Sequence, residues 1–231
     1  MIKAISFDGD DTLWDFEQWM LTAIAATLDE LCRLGGLDRA PFSIEETRAI
    51  RDRIALERGP VSPDNTLDDI RLASWVEVAS RAGLGHLGEA LTQFYFRTRE
   101  KGGGMFSDAE PVVTELRRKY RVGVLTNGNS TPSRHGSDLE LDFIVMAQDY
   151  GIEKPSRRIY EITAEQAGCD VAELMHVGDS LDTDVAGANA AGAVSVWLNR
   201  TGAANDSDVK PAHEIRSLTE VPPLLARLNG V

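Results

Sequence analysis

The chain has 231 residues, of which 42% are hydrophobic, so it is long enough for one large domain or for a domain that carries an insertion. Its formal net charge of −13 disfavours nucleic acid as a partner, because the chain would repel a phosphate backbone. No apolar run approaches the roughly 20 residues of a membrane-spanning helix, and the 2 widely separated cysteines suit a reducing compartment. We therefore expect a cytoplasmic protein without a membrane partner.

The chain begins with a short apolar run that predicts a buried strand and ends in three acidic residues, Asp8, Asp10 and Asp11. Like charges at this spacing raise one another's pKa unless a cation lies among them. Mg²⁺ binds carboxylates and water while it faces phosphate groups, so the cluster predicts a metal site that faces a phosphate. If extended geometry continues past residue 7, Asp8 and Asp10 project the same way and Asp11 does not. An ordinary polar turn is the alternative interpretation.

The next part of the chain, to about residue 101, predicts four helices and no strand. Apolar residues at helical spacing indicate helices at residues 17–34, from a capping-box pattern at Ser43 to residue 58, at residues 65–82, and from about residue 87 to residue 100. In the third of these helices, the apolar residues share one inner face: Ile70, Ala73, Val76 and Ala79. Helices in this number without strands suggest a separate helical unit inserted into the fold. The glycines at positions 102–104 suit a hinge at its end.

From Ser107 onward, short buried strands alternate with helices. The predicted strands are residues 122–126, 143–146, 174–177, 194–198 and 213–215, and a capping-box pattern at residues 107–110 starts the first helix of this part. This alternation predicts a parallel sheet with helices on both faces.

Several of these predicted strands are followed by polar residues. They are Thr126, Asn127 and Gly128 after one strand, Lys154 in the loop after the next, and Asp179 and Asp184 after a third. Hydroxyl, amide and backbone N–H groups suit phosphate oxygens, and the acidic residues suit a metal. Because ligands of open α/β sheets bind at the carboxyl ends of the strands, these groups can converge with Asp8 on one crevice. Taken singly, the Asn-Gly turn and the lysine also fit a plain turn and a surface residue.

The motifs, taken in this order, resemble the haloacid dehalogenase superfamily of phosphohydrolases, subfamily I. Residues 8–13, Asp-Gly-Asp-Asp-Thr-Leu, resemble the family's D-x-D-x-T-L signature, and Thr126, Lys154 and Gly178-Asp179 with Asp184 resemble its second, third and fourth motifs. The resemblance implies an α/β fold with a Rossmannoid core and a parallel sheet. It also implies that residues 1–14 and 105–231 form this core and that residues 15–104 form an inserted, all-α, four-helix cap of the C1 type.

The resemblance also implies a role for each motif residue. Asp8 is expected to be the nucleophile that becomes an aspartyl phosphate, and Asp10 the general acid and then the general base. The expected phosphate-binding residues are Thr126, Asn127, Gly128 and Lys154, of which Thr126 and Lys154 also take part in catalysis. Mg²⁺ is the expected cofactor, held by Asp8, the backbone carbonyl of Asp10 and Asp179, with Asp184 supporting these ligands from behind. The expected partner is a small phosphorylated metabolite, bound by a monomer or homodimer.

Asp10 separates the candidate reactions. An alcohol that leaves from a phosphate ester needs a proton, whereas a halide does not, and dehalogenases of this superfamily lack the second acidic residue of the signature. The sequence therefore favours a phosphatase over a 2-haloacid dehalogenase on the same fold. A sugar phosphomutase stays open, since it differs only in returning the phosphoryl group to its substrate. A receiver-like phosphoacceptor module would share the acidic cluster and the lysine, but it lacks both a four-helix insertion and the second carboxylate.

The core motifs do not identify the substrate, so we expect residues of the cap to determine specificity. Three aromatic residues follow the catalytic strand, and they predict either a substrate contact at the mouth of the cleft or a hydrophobic staple for the first cap helix: Trp14, Phe16 and Trp19. Cap arginines are candidates for binding a second anionic group of the substrate, among them Arg48, Arg51, Arg58 and Arg71.

Overall fold

The computed structural model describes residues 1–101, 104–135 and 137–230. Its centre is a parallel sheet of six strands: β1 (Ala4–Phe7), β2 (Arg121–Thr126), β3 (Phe143–Met146), β4 (Leu174–Gly178), β5 (Val194–Leu198) and β6 (His213–Ile215). The strand order is β3-β2-β1-β4-β5-β6. The predicted parallel sheet is confirmed, and each strand predicted from residue 122 onward is present.

The strand order reverses direction at β1. From β1 the chain adds β2 and β3 on one side, and it then returns to place β4, β5 and β6 on the other side. Such a switch point leaves a crevice at the carboxyl ends of the two central strands, because their connections run in opposite directions. The register pairs Phe7 with Val177, so Asp8 and Gly178 leave the sheet side by side at this crevice.

Four helices lie between β1 and β2: α1 (Phe16–Gly35), α2 (Ile44–Arg58), α3 (Leu67–Arg81) and α4 (Gly88–Lys101). We call them the helical insertion. They share an apolar cluster of their own, which includes Leu28, Ile54, Trp75 and Tyr95. The capping box predicted at Ser43 is formed, since Ser43 Oγ accepts from Glu46 N at 3.1 Å and Glu46 Oε2 accepts from Ser43 N at 2.7 Å.

Five further helices follow: α5 (Ala109–Leu116), α6 (Ala147–Tyr150), α7 (Arg157–Ala167), α8 (Ala186–Ala191) and α9 (Val221–Asn229). One face of the sheet packs against α5 and α9, through residues such as Val112 and Leu224. The other face packs against α7 and α8, through residues such as Ile159 and Ala188. Both faces of the sheet are therefore covered, as the alternation of strands and helices predicts.

Two local expectations are wrong. The capping-box pattern at residues 107–110 does not form, because α5 starts one residue later and the carboxylate of Asp108 instead pairs with Arg200 at 2.9 Å. Val76, expected on the inner face of α3, is 37% exposed, since Trp75 and Val78 take the buried positions. Gly102 and Gly103 of the predicted hinge lie outside the described residues. Among the described residues, no helix is both long and apolar enough to cross a membrane.

Candidate active site

Asp8 and Lys154 form the centre of the site. Asp8 lies at the carboxyl end of β1, is 8% exposed, and anchors its backbone N–H on the Val177 carbonyl at 2.8 Å. Lys154 is 4% exposed, and its ammonium donates to Asp8 Oδ1 at 2.7 Å and to Asp184 Oδ1 at 2.6 Å. One buried cation thus bridges two carboxylates from different strand ends, which brings together three residues predicted from separate motifs.

Burial and charge act in opposite directions on these three groups. Burial raises the pKa of Asp8 well above its usual value although Lys154 lowers it, and neighbouring carboxylates raise it further. Burial by itself would lower the pKa of Lys154, but Asp8 and Asp184 raise it above its usual range, so the ammonium stays charged. Burial would likewise raise the pKa of Asp184, yet Lys154 and His176 bring it below its usual value. Asp184 is therefore held ionised beside a carboxyl whose charge is costly.

The carboxylate of Asp184 contacts His176 and Ser180 in addition to Lys154. His176 Nε2 lies 3.0 Å from its Oδ1, Ser180 N donates to its Oδ2 at 3.0 Å, and Ser6 Oγ lies 2.8 Å from His176 Nδ1. Burial lowers the pKa of His176, so a neutral ring with its proton on Nε2 satisfies both neighbours. A Cβ at Gly178 would lie 2.2 Å from Asp184 Cγ, so only glycine leaves room for this carboxylate.

A group of three carboxylates could hold a metal ion. Asp8, Asp179 and Asp184 each bring one oxygen within 4.8 Å of the others. Burial raises the pKa of Asp179 to about 6, and the charges of Asp184 and Asp11 add to this rise. Oxygen ligands in a crowd of negative charge suit a hard divalent cation, so the residues fit Mg²⁺. Asp184, expected behind the direct ligands, brings an oxygen into this group, whereas the carboxylate of Asp10 lies outside it.

The carboxylate of Asp10 faces Trp14 and the turn after β2. Trp14 is fully buried, and its indole N–H donates to Asp10 Oδ1 at 2.7 Å. A Cβ at Gly128 would lie 2.6 Å from Asp10 Oδ2, so glycine allows this close approach. Burial raises the pKa of Asp10, while the Trp14 hydrogen bond and the charge of Arg99 lower it. A carboxyl with a raised pKa holds its proton more readily at neutral pH, as a general acid requires.

The turn after β2 orients Lys154. The backbone N–H of Lys154 donates to Asn127 Oδ1 at 2.8 Å, and Asn127 Nδ2 donates back to the Lys154 carbonyl at 3.0 Å. Thr126 Oγ1 accepts from Gly128 N at 2.9 Å. The side chain of Asn127, predicted to bind phosphate, is therefore engaged in holding the lysine.

The three aromatic candidates for substrate contact differ in their surroundings. Trp14 and Trp19 are buried, while Phe16 is partly exposed and its ring centroid lies 5.8 Å from Arg99 Cζ. The interpretation of all three as a cluster at the mouth of the cleft therefore needs correction. Trp14 packs in the core and bonds Asp10, and Trp19 belongs to the same apolar cluster, because the chain turns inward before α1 begins.

Two residues of the site carried no functional prediction. His176 carries no prediction above, because its contacts with Ser6 and Asp184 depend on strand pairing that a single sequence does not display. Arg99, in the last turn of α4, is 2% exposed and donates from Nη2 to Asn129 Oδ1 at 3.3 Å. A charged residue at a helix end is expected to face water, and only its aromatic neighbours at positions 95 and 96 hinted at burial.

Comparison with known proteins gives a consistent result. A family model described as haloacid dehalogenase-like hydrolase matches residues 2–192. The human N-acylneuraminate-9-phosphatase is 28% identical, and the match covers 99% of this chain and 95% of that protein. The 5-amino-6-(5-phospho-D-ribitylamino)uracil phosphatase YigB of Escherichia coli K12 is 26% identical over 85% of this chain and 83% of its own.

Solved structures show the same fold. A 2-haloacid dehalogenase from Pseudomonas syringae pv. tomato has a TM-score of 0.82 and 30% identity, and the match covers 99% of this chain and 100% of that one. The putative hydrolase YfnB of Bacillus subtilis, solved with magnesium bound, has a TM-score of 0.68 and 25% identity, with coverage of 97% and 98%.

Proposed function

This chain belongs to the haloacid dehalogenase-like hydrolases, and on that basis we propose that it is a Mg²⁺-dependent phosphatase. It cleaves a small phosphate monoester through an aspartyl phosphate on Asp8. The observation that carries this proposal is the bridge from Lys154 to Asp8 and Asp184, with an Asp179 oxygen within 4.8 Å of both carboxylates. A nucleophile, a cation for the phosphoryl group and metal ligands are thereby gathered at one point.

The donor set supports Mg²⁺ as the cofactor. Asp8, Asp179 and Asp184 would hold it through carboxylate oxygens, and the family resemblance adds the backbone carbonyl of Asp10. Bound there, the ion neutralises charge that develops on the phosphoryl oxygens. The magnesium bound by YfnB supports the same cofactor in this chain.

The residues divide the reaction into two steps. Asp8 attacks phosphorus, the bond from phosphorus to the leaving oxygen breaks, and Asp10 donates its proton to that oxygen. Asp10, now ionised, takes a proton from water, which attacks phosphorus and releases inorganic phosphate, so that Asp8 is restored. Lys154 and the Thr126 hydroxyl bind the phosphoryl oxygens throughout, and the Gly128 N–H, which donates to Thr126 Oγ1, orients that hydroxyl. We further propose that residues 15–104 act as a cap over this chemistry.

A second candidate, 2-haloacid dehalogenase, is favoured by the similarity to the Pseudomonas syringae structure. Asp10 argues against it, because a halide leaves without a proton and so makes no use of a buried acid at this position. The relatives that are phosphatases act on different phosphorylated compounds, and these compounds are a reasonable first panel of substrates.

The test is a comparison of two kinds of product. We expect phosphate release from p-nitrophenyl phosphate and from members of the panel, its loss in excess chelator, and its recovery with Mg²⁺ but poorly with Ca²⁺, whose larger coordination shell misplaces the ligands. We expect no chloride release from 2-chloropropionate. Chloride release without phosphate release, or full phosphatase activity in chelator, would overturn the proposal.

A further inference from the structure

Arg99 carries a charge that the protein leaves incompletely paired. Its side chain is 2% exposed, and Nη1 has no hydrogen-bond partner among the residues that the structure describes. Its other terminal nitrogen has a neutral partner, since Nη2 donates to the amide oxygen of Asn129 at 3.3 Å. A buried, unpaired guanidinium donor is costly, and an acceptor oxygen on a bound ligand would remove that cost.

The guanidinium of Arg99 lies among aromatic side chains. Three aromatic rings face its guanidinium, with centroids at 5.2 Å for Phe96, 5.8 Å for Phe16 and 5.9 Å for Tyr95. These rings stabilise the cation and exclude water, but they do not replace an oxygen acceptor. The ion pairs among the described residues include none to Arg99, and the carboxylate of Asp68 is joined to it only indirectly, since Asp68 Oδ1 accepts from Nδ2 of the same Asn129. The Nη1 donor of Arg99 therefore has no acceptor among the described residues.

The position of Arg99 relates it to the leaving group. Its partner Asn129 directly follows Gly128, and Gly128 packs against Oδ2 of Asp10. Asp10 is the acid that gives its proton to the leaving oxygen, whereas Lys154 faces Asp8, where the phosphoryl group is transferred. Arg99 thus approaches the site from the insertion, on the side of Asp10 and the departing alcohol.

We propose that Arg99 determines specificity by binding an anionic group, either a carboxylate or a second phosphate, on the part of the substrate that leaves as the alcohol. This inference rests on the proposed phosphatase function. A guanidinium presents a planar set of donors that suits the paired oxygens of both anions, and burial strengthens such a contact. The anion supplies the acceptor that Nη1 lacks, so substrate binding removes the cost of the unpaired donor.

A purely structural role is the competing explanation. In that case, the bond from Arg99 to Asn129 only joins α4 to the turn after β2, and its loss destabilises the protein and lowers the turnover of all esters alike. The two roles differ in which substrates are affected and in whether KM or kcat changes. A binding role raises KM for anionic esters most, while a structural role lowers the melting temperature in step with activity.

The first experiment uses the unaltered enzyme and three primary phosphate esters on three-carbon chains: glycerol phosphate, phosphoglycerate and propanediol bisphosphate. We expect a higher kcat/KM for at least one of the two esters that carry a second anion, and which one is preferred separates a carboxylate site from a phosphate site. The formal net charge of −13 would otherwise disfavour the more negative esters, so a preference for them requires a local cation. Equal kcat/KM for the three esters, or a preference for glycerol phosphate, would overturn the inference. This test uses only the unaltered enzyme, so it does not depend on whether a variant folds.

The second experiment compares R99Q and R99K with R97Q. Arg97 lies on the same helix and is exposed, so R97Q removes one positive charge while it keeps the buried guanidinium of Arg99. We expect R99Q to lower kcat/KM for the preferred anionic ester about 10- to 100-fold, chiefly through KM, because a hydrogen bond to a charged group is lost. R99K, which keeps the charge but not the planar donors, should fall between R99Q and the unaltered enzyme. R97Q should keep the original order of substrates.

The outcomes separate the inference from the proposed function. If the unaltered enzyme releases no phosphate from any ester, the phosphatase function itself fails. Suppose instead that the unaltered enzyme cleaves p-nitrophenyl phosphate, but R99K and R99Q lower kcat/KM for all three esters by the same factor and lower the melting temperature in parallel. The phosphatase function then stands, and the role of Arg99 in specificity is refuted. If R99Q does not fold, R99K and the comparison of esters on the unaltered enzyme decide the question.

Discussion

The two sides of the cleft are built differently. On the strand side, the charged groups are fixed in place by one another, since Lys154 bonds both Asp8 and Asp184, and His176 supports Asp184. On the side of the helical insertion, Arg99 keeps a buried donor without a partner in the described residues. The contrast fits the two proposals: the groups for phosphoryl transfer are preorganised, which favours catalysis, while the donor on the insertion is left for the rest of the substrate.

The insertion also closes the site. Asp8 and Lys154 are almost fully buried, and a groove of about 880 Å³ lined by α5 and by residues such as Met105 and Phe106 does not include them. We therefore expect the insertion to move away from the strand ends before a substrate enters. Closure afterwards would exclude water from the reacting groups and bring Arg99 to the substrate.

The largest expected effect is the loss of turnover when the nucleophile on the strand side of the cleft is replaced. Asp8→Asn should lower the turnover of p-nitrophenyl phosphate about 10⁴-fold or more, since an amide cannot attack phosphorus and removal of a nucleophile costs at least this much in other covalent hydrolases. The matched control is Asp11→Asn. Asp11 accepts from the backbone N–H of Glu17 at the start of α1, and its backbone φ of 59° is one that asparagine tolerates. Equal losses in the two variants would contradict the assignment.

The next largest effect tests the role of Asp10 as the proton donor in the first step of the reaction. Asp10→Asn should lower the turnover of an alkyl phosphate about 10²- to 10⁴-fold, because the leaving alkoxide then lacks a proton donor. Formation of the intermediate from p-nitrophenyl phosphate should suffer much less, since p-nitrophenolate leaves without help. Rapid mixing of each ester with the variant measures this first step. Losses of the same size for both esters would show that Asp10 has a structural role instead.

A smaller effect is expected from the loss of His176, which contacts the carboxylate of Asp184. His176→Gln should lower activity roughly 10- to 100-fold and raise the Mg²⁺ concentration needed for half-maximal rate, since groups that orient metal ligands commonly contribute this much. His213→Gln is the matched control, because His213 lies on β6 at the edge of the sheet. The measurement is a Mg²⁺ titration of turnover alongside a melting curve. An unchanged Mg²⁺ requirement in His176→Gln would mean that this ring does not position Asp184.

The smallest effect concerns stability and its dependence on pH. Burial would raise the pKa of Asp108, but Arg200, Ser217 and the Leu218 N–H bring it below its usual value. A carboxyl whose folded pKa is lowered stabilises the protein above its unfolded pKa, near 4. This stabilisation is lost as pH falls through the folded pKa.

Asp108→Asn should therefore lower the free energy of unfolding by about 1 kcal/mol at neutral pH, once solvent screening of the pair is allowed for. The difference should shrink below a pH of about 4. Urea titrations at several pH values measure it, with the exposed Asp206→Asn as control. A difference that is constant down to acid pH would rule out the ionic contribution of Asp108.

The parts of this account differ in how far the sequence predicts them. The strands and the convergence of Asp8, Lys154 and Asp179 follow from apolar runs that end in polar residues, because parallel strands share an edge. The contacts of Trp14 with Asp10 and of Asn127 with the Lys154 backbone do not follow, since they depend on how turns pack in space. Asp108 shows the limit most clearly, because Arg200, 92 positions away, displaces the local capping pattern.

The central claim is that Asp8 carries the phosphoryl group. The most direct test is to mix the Asp10→Asn variant with p-nitrophenyl phosphate and Mg²⁺, quench with acid within one turnover, and analyse the peptides by mass spectrometry. The variant still forms the intermediate from this ester but breaks it down slowly, because it lacks the base that activates water. We predict the added mass of one phosphoryl group on the peptide that contains Asp8, and none after Asp8→Asn. An unmodified peptide after a measured burst of p-nitrophenolate, or a phosphoryl group on another residue, would contradict the account.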